Sequence, residues 1–159
     1  NHSGDKDGIW ASMAFAEMVA ALKQNKLTPI DRLNQIYQQY GVHLDALGTQ
    51  TFKGAKGMAK IQQIMCDLRN SPPDSVAGQA VVKITDYLEN TIICGNETRR
   101  GPGLPQSNVI ALELADNSRI IARPSGTEPK IKYYFNLQGK DSAMLNERLA
   151  CIHADFIKE

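Results

Sequence analysis

An α+β fold is expected, with helices on one face of an antiparallel sheet, preceded by a helical remnant of an upstream α/β domain. Two observations predict it. Residues 42–159 read in the order strand, helix, several strands, helix. Within that run, two β-rich segments, 108–115 and 118–123, are joined by Asp116-Asn117, a good hairpin turn. A third observation separates residues 1–41: they read as two helices with too little partner surface for a core of their own.

The first helix is expected over about Asp7–Gln24, with Asp7 as cap and Gly8 opening it. Ile9, Trp10, Met13, Met18, Val19 and Leu22 are apolar and alanines fill most gaps, so the helix is apolar nearly all round. Such a helix needs cover on more than one side. The second helix has Thr28 as N-cap, Pro29 in its first position, Asp31 at its positive end and Gly41 as a stop. Ile30, Leu33, Ile36, Tyr37 and Tyr40 recur at helical spacing.

The pattern then resets. Residues 42–52 suit a strand, and residues 53–70 a helix with Met58, Ile61, Ile64, Met65 and Leu68 on one face. Pro72-Pro73 ends it. Residues 80–88 hold a strand with Val82, Ile84 and Tyr87 as packing residues. Residues 95–105, rich in Gly and Pro and carrying Arg99-Arg100, read as a loop. Lys130–Leu137 is an aromatic strand, and residues 141–158 a closing helix with Leu145, Leu149, Ile152 and Phe156 inward. There are no internal repeats.

The 159 residues carry a formal charge of +1 and are 42% hydrophobic, a composition that is globular rather than disordered. That balance argues against nucleic acid or a membrane as partner, and the local basic clusters suit a small anion better. Cys66, Cys94 and Cys151 are far apart and form no CxxC pair, so reduced thiols in a cytoplasmic protein are expected, in small packing positions. His2, His43 and His153 lack metal-ligand spacing, and Asp5 and Asp7 read as helix-capping groups, so no metal site is expected. No apolar run is long enough to span a bilayer. The sequence opens at Asn1 without a methionine, so either a piece of a longer chain or an opening of added, non-natural residues is expected.

The chemistry concentrates in Arg123-Pro124-Ser125-Gly126-Thr127-Glu128-Pro129-Lys130, between two predicted strands. Gly126 lets the backbone turn and aim N–H groups at one point. Ser125 and Thr127 add hydroxyl donors. Arg123 offers a bidentate fork and Lys130 a point charge. Pro124 and Pro129 restrict the turn before binding. The same residues also read as a plain turn with solvated charges. The segment is not a nucleotide P-loop, because GxxxxGK[ST] is absent and a strand follows it.

The run Arg123 to Tyr134 resembles the C-terminal phosphate-binding loop of the α-D-phosphohexomutases, the phosphoglucomutase/phosphomannomutase family. Asp5-Lys6-Asp7-Gly8-Ile9 resembles the end of that family's third domain. Leu33–Gly41 resembles its last helix, and Leu104-Pro105-Gln106-Ser107-Asn108 also matches. The resemblance implies that residues 1–41 are the final helices of an incomplete third domain. Residues 42–159 would then be the fourth domain, with a TATA-binding-protein-like fold. It implies that Arg123, Ser125, Gly126 and Thr127 hold the phosphate that is not transferred, with Lys130 beside them and Lys6 as a possible substrate contact. Many members carry a further arginine where Tyr134 falls; Lys130 or Lys132 could replace it, since alternate strand residues share a face. Glu128 suits a loop-shaping role.

The family's phosphoserine, its Mg²⁺ aspartates and its sugar-reading loop are absent from this sequence. The resemblance therefore implies an isomerase in which the whole enzyme moves a phosphoryl group between the 1- and 6-positions of a hexose phosphate, by way of a bisphosphate intermediate. Mg²⁺ and a sugar bisphosphate primer would serve the parent enzyme. The fragment itself is expected to have no cofactor and no catalytic residue, to bind phosphosugar, and to have the missing upstream domains as partners. A stand-alone anion- or nucleic-acid-binding module and an assembly domain are the rival classes.

Overall fold

A computed structural model describes residues 6–54 and 56–157. The chain divides into two compact units, Asn1–Gly41 and Val42–Glu159.

The first unit is a helical pair. α1 spans Gly8–Gln24, and the Asp7 carboxylate caps it by accepting from the Trp10 amide at 2.9 Å. α2 spans Pro29–Tyr40 and opens on a reciprocal capping box: the Asp31 amide donates to the Thr28 hydroxyl, and the Thr28 amide donates to the Asp31 carboxylate. The Thr28 hydroxyl also donates to the Asp31 carboxylate at 2.7 Å, and this bond first, then the one from the Thr28 amide, holds the Asp31 carboxyl below its ordinary range. Neither helix buries a residue; Ile9, Met13, Phe15, Ile30 and Tyr40 are all exposed.

The second unit is one antiparallel sheet with two helices. Its strands are β1 (Val42–Thr51), β2 (Ser75–Val76), β3 (Gln79–Asp86), β4 (Thr91–Cys94), β5 (Glu97–Arg100), β6 (Ile110–Leu114), β7 (Arg119–Pro124) and β8 (Lys130–Gly139). They run in the order β1-β8-β7-β6-β3-β4-β5, with β2 paired to β3. α3 (Lys56–Asn70) and α4 (Ser142–Phe156) cover one face. Alternation on β8 decides which face: Ile131, Tyr133, Phe135 and Leu137 are buried, whereas Lys130, Lys132, Tyr134 and Asn136 are not. Ile61 and Met65 of α3 and Leu145 and Ile152 of α4 complete the core against Ile110, Leu112, Leu114 and Ile120. Gly48 of β1 lets α4 approach, because a Cβ there would run into Ile157 and come within 2.9 Å of Phe135 Cε2.

The observed architecture is the α+β layer expected, with differences that have local causes. Residues 97–100, expected in a loop, form β5 in a hairpin with β4. Gly95, at φ 57°, makes the turn, and all four β5 residues are exposed, so no apolar alternation marks the strand. Val82 does not pack: the β3–β6 register shifts between Val81 and Lys83, and Val82 is the extra, exposed residue. Met58 is 42% exposed because the α3 seam runs through Gly57, Ile61 and Met65, one residue earlier. Cys66 and Cys151 are exposed rather than packed. Asp5, His2 and Lys158 lie outside the described residues.

Candidate functional site

The Arg123–Lys130 segment joins β7 to β8. Backbone bonds fix its ends: the Ser125 amide donates to the Lys130 carbonyl at 2.8 Å, and the Lys130 amide to the Glu128 carbonyl at 2.7 Å. A third bond ties it to the end of β1, where the Phe52 amide donates to the Pro129 carbonyl at 2.9 Å. Between these anchors, the amides of Gly126, Thr127 and Glu128 donate to no described residue. All three residues are exposed. Three successive N–H groups open to solvent at an exposed turn are available to an anion.

Strand register puts the charges on the side of the sheet opposite the helices. Arg123 pairs with Lys132, and Lys132 in turn with Thr49 of β1. Alternation places Lys130 on that face as well. Arg123 makes no hydrogen bond or ion pair among the described residues, and neither does Lys132. Lys130 differs: its ammonium is paired with the Glu128 carboxylate. That hydrogen bond, then the Lys130 charge, and more weakly Lys132, hold the Glu128 carboxyl below its ordinary range.

Several other polar groups on this face are paired. Lys83 pairs with Glu113 at 2.9 Å, and Asn136 donates to Asp45 at 2.6 Å. Arg119 donates to the Tyr87 hydroxyl at 2.9 Å, across the fully buried Ala111. At the loop end, Arg123 and Lys132 form no ion pair among the described residues, with Glu128 the nearest acidic influence on Lys132.

Gly126 does not act as the sequence suggested. Its φ lies outside the left-handed region, and a Cβ there would meet nothing within 4 Å. Neither backbone sign nor crowding demands glycine. Lys6 lies in the first unit, with left-handed φ of 54°, just before the Asp7 cap. Two contributors were out of reach of the sequence: the Glu128 amide, hidden behind an acidic side chain, and Thr49, brought to the site only by β1–β8 pairing. Among the described residues, no three His, Cys, Asp or Glu gather in a way that could hold a metal ion. No described helix is long and apolar enough to cross a membrane.

Comparison with known proteins bears on this arrangement. Residues 76–150 match the family described as phosphoglucomutase/phosphomannomutase, C-terminal domain. The chain is 39% identical over 138 residues to a phosphoglucomutase of Staphylococcus aureus strain MRSA252, covering 86% of this chain and 25% of that protein. The phosphoglucomutase of strain N315 is 38% identical over 138 residues, with the same coverage. The chain therefore spans about a quarter of the length of the curated relatives it matches. Among solved structures, it resembles the open form of the exocytosis-sensitive phosphoprotein pp63/parafusin from Paramecium, titled a phosphoglucomutase. The TM-score is 0.55 at 20% identity, over 95% of this chain and 28% of that one, a likeness of fold.

Proposed function

The chain belongs to the phosphoglucomutase/phosphomannomutase family as a C-terminal portion, and from that premise we propose that its β7–β8 loop grips one phosphate group of a phosphosugar. The observation that carries this reading is the juxtaposition of three free amides, at Gly126, Thr127 and Glu128, with the unpaired cations Arg123 and Lys132. A phosphate dianion supplies the acceptors that this arrangement lacks.

In this reading Arg123 gives a planar fork to two phosphate oxygens. The loop amides and the Ser125 and Thr127 hydroxyls take the remaining lone pairs. Lys132 contributes charge from the strand, and Lys130 joins once phosphate competes for it with Glu128. A loop that recognises only the dianion leaves the sugar ring free, so either end of a bisphosphorylated sugar can occupy it. Its contacts position the reacting group and contribute remote binding energy to the transfer step.

Transfer itself is assigned to the rest of the parent enzyme. The whole protein would interconvert hexose 1- and 6-phosphates through a phosphoserine and a bisphosphate intermediate. Mg²⁺ would supply electrostatic stabilisation of the moving phosphoryl group there, and the described residues of this chain offer it no ligand set. Residues 1–41 are read as the last helices of a preceding domain whose remainder would cover Ile9, Met13 and Phe15. A cytoplasmic location goes with this reading.

Mixing the purified chain with glucose 1-phosphate and glucose 1,6-bisphosphate should give no glucose 6-phosphate. Turnover by the chain alone would remove the division of labour proposed here. In the full-length parent enzyme, Arg123→Ala should depress kcat/KM by about 100-fold or more, as the loss of a charge-assisted pair on a remote phosphate requires.

A further inference from the structure

The other face of the sheet holds a cavity of about 760 Å³ that none of residues 123–130 lines. Its apolar walls come from α3, α4 and the strand ends: Phe52, Ile64, Leu68, Val76, Tyr133 and Phe156. The Tyr133 ring is buried, while its hydroxyl is not sealed from solvent and makes no hydrogen bond among the described residues. A tyrosine with a buried ring and an open hydroxyl takes its partner from outside the core. Here the residue lines a space large enough for a small molecule to provide one.

The charged groups on the lining define what that molecule is. Asp67, Asp155 and Lys60 line it. Asp67 accepts from the Gln63 amide group at 2.7 Å and Asp155 from the Ala77 N–H at 3.1 Å, and neither carboxylate has a cationic partner among the described residues. Lys60 stands seven residues before Asp67 on α3, about 10 Å away along the helix axis. Two carboxylates beside aromatic walls favour a cation. Burial pushes the Tyr133 phenol up to about 12, so it stays a neutral donor and acceptor.

We infer that this cavity is a binding site for a small amphiphilic amine, its apolar body between α3 and α4 and its ammonium toward Asp67 and Asp155, and that Phe52 relays occupancy to the β7–β8 loop. Phe52 lines the cavity, and its backbone amide holds the Pro129 carbonyl at 2.9 Å. Tyr133 directly follows Lys132 on β8. A ligand that shifts either residue moves an anchor of the loop. The relay has regulatory meaning only if the loop binds phosphate, whereas the cavity stands by itself.

The test is an amide-resolved NMR titration of the 159-residue chain with 2-phenylethylamine, using 3-phenylpropionate as the anionic control. Saturable shifts at Phe52, Ile64, Tyr133 and Phe156 are expected, with the amine bound more tightly than the carboxylate. Asp67→Asn, a change at an exposed position, should weaken the amine about threefold. Ser125 and Lys130 amides should move in the same titration. No saturable shift at millimolar amine, equal or tighter binding of the carboxylate, or an unaffected Asp67→Asn variant overturns the site. Cavity shifts with motionless Ser125 and Lys130 amides overturn the relay. A parallel titration with inorganic phosphate reads the loop separately, so failure of the phosphate site is distinguishable from failure of the cavity.

Discussion

Arg123 and Lys132 are cross-strand partners on β7 and β8, on the face opposite the helices, and neither forms an ion pair among the described residues. Like charges directly opposite on a sheet destabilise it. Elsewhere on the same face, Lys83 has Glu113 and Asn136 has Asp45. The Arg123–Lys132 pair sits beside three exposed amides that donate to no described residue. We propose that a bound dianion pairs with both, which is why the two features are assigned to one site.

Glu128 is the residue that competes with such an anion, since its carboxylate holds Lys130. Glu128→Gln should free the ammonium and remove a nearby negative charge, tightening inorganic phosphate about threefold. Because Lys130 first, and Lys132 after it, hold the carboxyl below its ordinary range, acidification to the usual glutamate range should leave the pair intact. Phosphate titrations of the two proteins at matched ionic strength check this; weaker binding by Glu128→Gln would make the glutamate a shaper of the loop instead.

Asp86 is 7% exposed and does three jobs: one oxygen accepts from Arg69 Nε at 2.8 Å, the other from the Leu88 and Glu89 amides at 2.8 and 3.3 Å. Asp86→Ala leaves all three donors unmatched and should cost about 3 kcal/mol by urea unfolding. Removing Arg69 in the same chain should add less than its separate cost, because the pair is then absent as a whole.

Gly48→Val tests how α4 seats on β1. The new side chain must displace Ile157 and Phe135, so a loss of about 1–3 kcal/mol is expected. The same change at Gly126, where a Cβ meets nothing, should be close to neutral for stability while impairing phosphate binding.

Tyr133 gives a spectroscopic signature. Its phenol should resist ionisation until about pH 12, so one tyrosine should titrate late in the ultraviolet difference spectrum. The sign for stability follows: the folded state holds the proton more tightly, so the contribution is complete below the unfolded value of about 10 and is lost as pH rises towards 12. Tyr133→Phe should abolish the late transition.

What was legible in the sequence was what local spacing encodes. The α4 stripe of Leu145 and Ile152, the caps at Asp7 and Thr28, and the β6–β7 turn at Asn117, with φ 66°, are properties of neighbouring residues. The β4–β5 hairpin was illegible because Glu97–Arg100 bury nothing and so carry no alternation. The loop's composition pointed to an anion, but its most telling geometry did not follow from composition. Arg123 facing Lys132 depends on β7–β8 register, and Thr49 reaches them only through a strand some 80 residues earlier in the chain. Lys130, the more obvious cation beside the motif, is the one already paired.

The most direct test is an amide-resolved titration of the chain with inorganic phosphate and glucose 6-phosphate, before and after Arg123→Ala. Saturable shifts centred on Gly126, Thr127 and Glu128, weakened about tenfold by the substitution, are the predicted result. Shifts scattered over the surface, or loop shifts indifferent to the loss of Arg123, would contradict it.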